Sequence, residues 1–191
     1  MITAYIGVGS NLDDPPGQVR SAIAALEQLP DTTVTAVSSL YRSRPVGPRD
    51  QPDFTNAVVR LETALSAFTL LRHMQTIEDK HGRRRDGRHW GPRTLDLDLL
   101  LFGDQRIAEP DLRVPHPEMT RRGFVLAPLV EISPEVNIPG AGPARAPAGI
   151  HRRRRPHRRR QDQPGPAPGG HPEHRHPAGD GGGKPFPAPF L

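Results

Sequence analysis

Cysteine is absent from the chain, which excludes disulfides and thiolate metal sites. No apolar run approaches the length of a bilayer span, and no secretory leader pattern appears. A soluble, cytoplasmic protein is therefore expected. An excess of either charge is also missing from most of the chain. Residues 1–140 carry 16 Lys+Arg against 18 Asp+Glu, whereas residues 141–191 carry 10 against 3. The formal net charge of +5 thus belongs to the last stretch alone. No internal repeat is apparent.

That last stretch also has few large apolar residues. It contains "HRRRRPHRRR" and is rich in Pro, Gly and His. Such a segment cannot bury enough surface to offset its ordering entropy, so a disordered tail over 141–191 is expected, following a domain over 1–140. An Arg-rich arm can bind nucleic acid without sequence specificity. The same composition also arises when a GC-rich coding region is read out of frame, here from near Gly140. Re-reading the nucleotide sequence separates the two.

In the body, "ITAYIGV" (2–8) alternates as a strand. Asp14 before Pro15 predicts a helix start and cap, followed by Val19, Ala22, Ile23, Leu26 and Leu29 at helical spacing. Residues 33–41 predict a second strand, and 54–62 a third. Ser66 is placed to cap a second helix ending near Gly82, and 95–102 predict a fourth strand. The order strand–helix–strand–strand–helix–strand predicts an α+β protein: a ferredoxin-like βαββαβ sandwich with additional C-terminal elements. Its helices would cover one sheet face and leave the other open. The segment after 110 would pack at one edge.

Chemistry concentrates around "GPRTLDLDLLLF" (91–102). Alternation sends Leu95, Leu97, Leu99 and Leu101 to the helix side, and Asp96, Asp98, Leu100 and Phe102 to the open side. Two carboxylates so placed suit a hard divalent cation; two solvated aspartates are the plainer alternative. Just upstream lie Arg83, Arg84, Arg85, Arg88 and Arg93, whose guanidinium forks match phosphate oxygens. A basic loop gripping nucleic acid would read the same way by itself. Beside a D-x-D, phosphoryl transfer gains weight, because that chemistry is mostly positioning and charge neutralisation. Phe54 and Asn56 share a strand face and suit a flat heterocycle, or simple packing. Glu78, His116, Arg122 and Phe124 are undecided taken singly.

Four stretches, "AYIGVGSNL", "SSLYRSRPVGPRDQPDFTNAVV", "HWGPRTLDLDLLLFG" and "VPHPEMTRRGFVLAPLVEI", together resemble the 6-hydroxymethyl-7,8-dihydropterin pyrophosphokinases of folate biosynthesis. The resemblance runs from residue 2 to about 140. It implies transfer of the β,γ-diphosphate of ATP to the pterin hydroxymethyl group, with release of AMP. It also implies two Mg²⁺ ions held with ATP by Asp96 and Asp98. Catalysis would fall to Arg83, Arg93, Asp96 and Asp98. Gln75, Glu78, Arg83, Arg93, Leu99, His116 and Arg122 would bind ATP. Val46, Gly47, Pro48, Phe54, Asn56 and Phe124 would bind the pterin, with Arg85, Trp90 and Pro92 on a loop that closes over it. Loops 42–52 and 82–93 would shut out water.

The chain departs from the family pattern at Asp111, at Pro117 and after Gly140. A monomer that takes only small-molecule substrates is expected. A nucleic-acid-binding protein would instead keep salt-sensitive affinity after Asp96→Ala, and a nucleotidyltransferase would release pyrophosphate in place of AMP.

Overall fold

A computed structural model describes residues 1–46, 50–82 and 91–148. The alternating start of the chain forms strand β1 (Ile2–Ser10), two residues longer than the pattern predicts. Helix α1 (Pro15–Glu27) follows. It starts at the expected Pro15, but Asp14 is left-handed and its side chain caps nothing. The Asp14 carboxylate instead folds against the bare Cα of Gly17.

The single strand predicted over 33–41 is two strands, β2 (Thr32–Val37) and β3 (Tyr41–Ser43), both paired to β4 (Phe54–Thr63). Val37 pairs with Val59 while Tyr41 pairs with Asn56, so residues 38–40 oppose only residues 57 and 58. The break has a visible cause. The Ser39 backbone N–H leaves the sheet and donates to a Glu131 carboxylate at 3.1 Å.

Helix α2 (Ala67–Lys80) carries the predicted cap, with the Thr69 backbone N–H donating to Ser66 Oγ at 3.1 Å. Strand β5 (Asp96–Phe102) closes an antiparallel sheet ordered β2–β4–β1–β5. Two short hairpins, β6 (Ile107–Ala108) with β7 (Arg113–Val114) and β8 (Asn137–Ile138) with β9 (Gly142–Pro143), flank helix α3 (Gly123–Ile132).

Helices α1 and α2 cover one sheet face. Ala4, Ile6, Val59, Leu61, Leu95 and Leu97 pack there against Val19, Leu26, Leu70 and Met74. The opposite face is not left open, and the late segment is not confined to an edge. Tyr5, Val58, Leu100 and Leu101 are apolar on that face and bury Met119, Val125 and Leu129 over one half of it. The β5 alternation also slips. A bulge between Tyr5 and Ile6 pairs Tyr5 with Leu101 but Ile6 with Leu99, leaving Leu100 as the extra residue. An extra residue reverses the facing of everything after it. Leu101 therefore lies on the α3 side and Phe102 in the α1–α2 core, the reverse of the sequence expectation.

Packing also continues past Gly140, where the sequence reading ended the domain. The β8–β9 hairpin is followed by buried Ala144, whose N–H donates to Val136 O at 2.9 Å. The described residues all lie within one compact unit. The tail expectation from residue 149 onward lies outside the described residues. Among the described residues, no helix is long and apolar enough to cross a membrane.

Candidate active site

Beside α3, the same sheet face is built from rows of cross-strand neighbours that run out from under the helix. One row runs Tyr41, Asn56, Gly9, Asp96; the next nearby row runs Val58, Gly7, Asp98. Residues opposite one another in an antiparallel ladder share a face. Gly7 and Gly9 therefore leave bare backbone between the Asn56 amide and the two carboxylates. A methyl group on Gly9 would stand 3.3 Å from Asn56 Oδ1. This floor was missed in the sequence, although glycines at alternate strand positions are a signal for close approach of another group.

A cavity of about 270 Å³ stands on that floor. Val46, Phe54, Asn56, Arg93, Asp96, Asp98, His116, Arg122 and Phe124 line it, joined by Ser43 and Arg44, which sequence reasoning did not single out. A second cavity adjoins it and shares Asp98 and His116. Its apolar walls include Leu71, Leu97, Leu99 and Leu112, and its rim carries Asp111 and Pro117.

Of the other predicted residues, Pro92 is exposed and lines neither cavity. Gln75 and Glu78 lie on α2 and also line neither. Glu78 is buried, and its Oε1 accepts the Leu97 N–H at 2.8 Å, so it orients the strand that carries the aspartates. Gly47, Pro48, Arg83, Arg85 and Trp90 lie outside the described residues.

The polar groups are held by specific partners. Asn56 Nδ2 donates to Ser43 Oγ at 2.8 Å, which sets the direction of its amide. Arg93 Nη1 donates to Asp96 Oδ2. Arg122 Nη1 and His116 Nε2 each stand 3.7 Å from an Asp98 oxygen. The Arg122 guanidinium carbon is 6.0 Å from the centre of the Phe124 ring, at the outer reach of a cation–π contact.

Burial, reinforced by the neighbouring Asp96 charge, raises the Asp98 carboxyl to about 7, against the pull of Arg122 and Arg93. Burial, together with the Arg122 charge, lowers His116, which is therefore neutral at pH 7. Its Nδ1 accepts the Glu118 N–H at 3.2 Å, so the ring proton sits on Nε2, facing Asp98. The arrangement is a bowl with an aromatic–amide end, an acidic middle and a cationic rim.

Both loops at the mouth meet one side chain that the sequence did not mark. Asn11 is 1% exposed; its Nδ2 donates to Gln51 Oε1 at 3.1 Å and to Pro52 O at 3.0 Å. Its Oδ1 accepts the Arg93 N–H at 2.8 Å.

Among the described residues, no group of three or more His, Cys, Asp or Glu side chains is placed to hold a metal by itself. The donor set is two carboxylates facing an open cavity. That fits a magnesium ion completed by phosphate oxygens and water, the usual way this ion is bound beside nucleotides.

Residues 5–134 match the model of the family described as 7,8-dihydro-6-hydroxymethylpterin-pyrophosphokinase (HPPK). The chain is 48% identical over 141 residues to the 2-amino-4-hydroxy-6-hydroxymethyldihydropteridine pyrophosphokinase of Haemophilus influenzae, covering 74% of this chain and 88% of that one. It is 51% identical over 135 residues to the enzyme of the same name from Pseudomonas aeruginosa, covering 71% and 83%. Among solved structures it resembles Plasmodium falciparum HPPK-DHPS crystallised with pteroate, at a TM-score of 0.55 and 14% identity. That likeness covers 72% of this chain and 40% of the other, and it bears on fold alone.

Proposed function

The chain belongs to the 7,8-dihydro-6-hydroxymethylpterin-pyrophosphokinase family, and on that premise we infer the reaction and the role of each site residue. The protein transfers the β,γ-diphosphate of ATP to the hydroxymethyl group of 6-hydroxymethyl-7,8-dihydropterin, a step of folate biosynthesis, and releases AMP. The observation that carries this assignment to the site is the pair of adjoining cavities that meet at Asp98 and His116. A two-substrate transfer needs two pockets with the reacting atoms at their junction.

Phe54 and Phe124 take the pterin ring between them, and the Asn56 amide reads its donor–acceptor edge. Val46 closes one side, with Gly47 and Pro48 assigned to the same loop. Leu99 and His116 flank the nucleotide, and Arg93 and Arg122 draw its phosphates toward the carboxylates. Neutral His116 offers its Nε2–H as a donor without adding charge. Glu78 acts through strand β5, and Gln75 is placed at the nucleotide by resemblance alone. Arg83 is assigned with Arg93 and Arg122 to the ATP phosphates, and Arg85, Trp90 and Pro92 to a loop that would close over the reactants and exclude water, favouring transfer over ATP hydrolysis.

Asp96 and Asp98 would hold Mg²⁺, two ions with ATP. When bound, magnesium neutralises phosphate charge and makes the pterin hydroxyl easier to deprotonate. In the transfer, the pterin oxygen forms a bond to the β-phosphorus. The bond from that phosphorus to the α,β-bridging oxygen breaks, and AMP departs with the oxygen. The hydroxyl proton passes to solvent, and no side chain is required as an obligatory base.

The strand order β2–β4–β1–β5, antiparallel throughout, supports the ferredoxin-like reading of the fold. A cytoplasmic monomer acting on small molecules completes the proposal, with nucleic acid engaged only non-specifically through the tail. Purified protein with ATP and Mg²⁺ tests the reaction: AMP is expected only when the pterin is added. Pterin-independent AMP, or pyrophosphate as the product, would overturn it.

A further inference from the structure

Strand β3 is three residues long, yet two features of the pterin end depend on it. Ser43 stands opposite Phe54, and Ser43 Oγ accepts the Asn56 Nδ2 hydrogen bond at 2.8 Å. So short a strand has little hold on its own register. Its register differs by one residue from that of β2 because 38–40 carries one residue more than the β4 segment it faces. A slip of one residue would turn Ser43 away from Asn56.

What stabilises the extra residue is a carboxylate from another layer. Glu131 lies on α3, seven residues and about two turns beyond Phe124. Its Oε1 accepts Ser39 Oγ–H at 2.7 Å. Its Oε2 accepts the Ser39 backbone N–H at 3.1 Å and the Tyr41 phenol at 2.9 Å. Tyr41 is buried and sits opposite Asn56. One side chain thus ties the helix that carries Phe124 to the strand that orients Asn56.

We propose that Glu131 is a positioning residue for pterin recognition: it fixes the β3 register, and through Ser43 the direction of the Asn56 amide. The proposal rests on the assignment of the pterin to the cavity of Phe54, Asn56 and Phe124.

Three kinetic variants and one spectroscopic measurement test it. Glu131→Ala raises KM for the pterin about tenfold or more, the scale of a lost charge-assisted hydrogen bond, and leaves KM for ATP within about twofold. Glu131→Gln, which keeps one acceptor oxygen, restores part of the loss, and Tyr41→Phe shows a smaller shift in the same direction. Unchanged pterin KM in all three, with only the melting temperature lowered, reduces Glu131 to a strut and overturns the proposal. Equal rises in both KM values overturn it as well. In the resting protein, the Asn56 side-chain NH₂ signals are expected to shift and exchange faster in Glu131→Ala; unaltered signals reject the positioning role whatever the activity. Phe54→Ala serves as the control on the pocket. If it leaves pterin KM unchanged while the Asn56 signals still respond to Glu131→Ala, the pocket assignment fails and the positioning role stands.

Discussion

At the scale of single residues, the site is governed by how Asp98 is charged. Burial and the adjacent Asp96 raise its carboxyl to about 7. In the unfolded chain the same group titrates near pH 4. Between about pH 4 and about 7, the folded state therefore keeps a proton that the unfolded state has released. The contribution of Asp98 to stability is present at the acid end of that window and is lost as the pH rises through it. His116, shifted downward, opposes this as acid protonates the unfolded chain. Asp98→Asn removes only the first effect. Without magnesium, its advantage over the wild type in thermal unfolding is expected to grow from pH 4 to 7 and then level off. In the same variant, AMP formation is expected to fall by about a hundredfold or more if, as proposed, Asp98 holds the magnesium that neutralises the transferred group. A variant that melts in parallel with the wild type at every pH would refute the assigned titration.

Among the elements, the decisive features are places where a regular strand is interrupted. The bulge in β5 frees Leu101 to join Tyr5 and Leu129 under α3 while Leu99 stays with the helices behind. The break at Ser39 lets β3 start a new register. At the end of β1, Asn11 spends its whole carboxamide on two loops, holding Gln51 and Pro52 of one and Arg93 of the other. Arg93 in turn pairs with Asp96, so this clasp reaches the acidic pair through one residue. Asn11→Ala is expected to cost about 1–3 kcal/mol of stability, the penalty for stranding buried partners. Its kcat should fall more than its KM for either substrate rises, since both loops lose their common anchor. Denaturant unfolding and steady-state kinetics read the two effects separately. Wild-type kcat in a folded Asn11→Ala protein would show that the clasp is merely structural.

On the scale of the whole molecule, the described cavity-lining residues lie between 7 and 125, and buried packing among the described residues reaches Ala144. Residues 141–191 carry the net positive charge, with 10 Lys+Arg against 3 Asp+Glu. Deleting residues 149–191 is accordingly expected to leave kcat/KM within about twofold while abolishing salt-sensitive retention on nucleic acid, a property of clustered arginines. Loss of activity on deletion, in a protein that still melts cooperatively, would give the tail a part in catalysis.

Much of this was written in residue order. Alternation named β1, β4 and β5, helical spacing named α1 and α2, and Ser66 marked its own cap, because these depend on neighbours only a few residues away. The D-x-D pair and its arginines left the chemistry open between metal-assisted phosphoryl transfer and plainer readings, and the family resemblance of the surrounding motifs named the reaction. The interruptions were not legible. Whether Leu101 faces α3 or α1 depends on a bulge opposite Tyr5, and the split of β2 from β3 depends on Glu131, about ninety residues downstream. The same holds for the floor of the bowl. Gly9 acquires meaning only when Asn56 and Asp96 are laid on either side of it. Sequence by itself determined which groups the protein possesses and the reaction class they suit. Tertiary structure decided which of them face one another, because register and burial are set by partners distant in the chain.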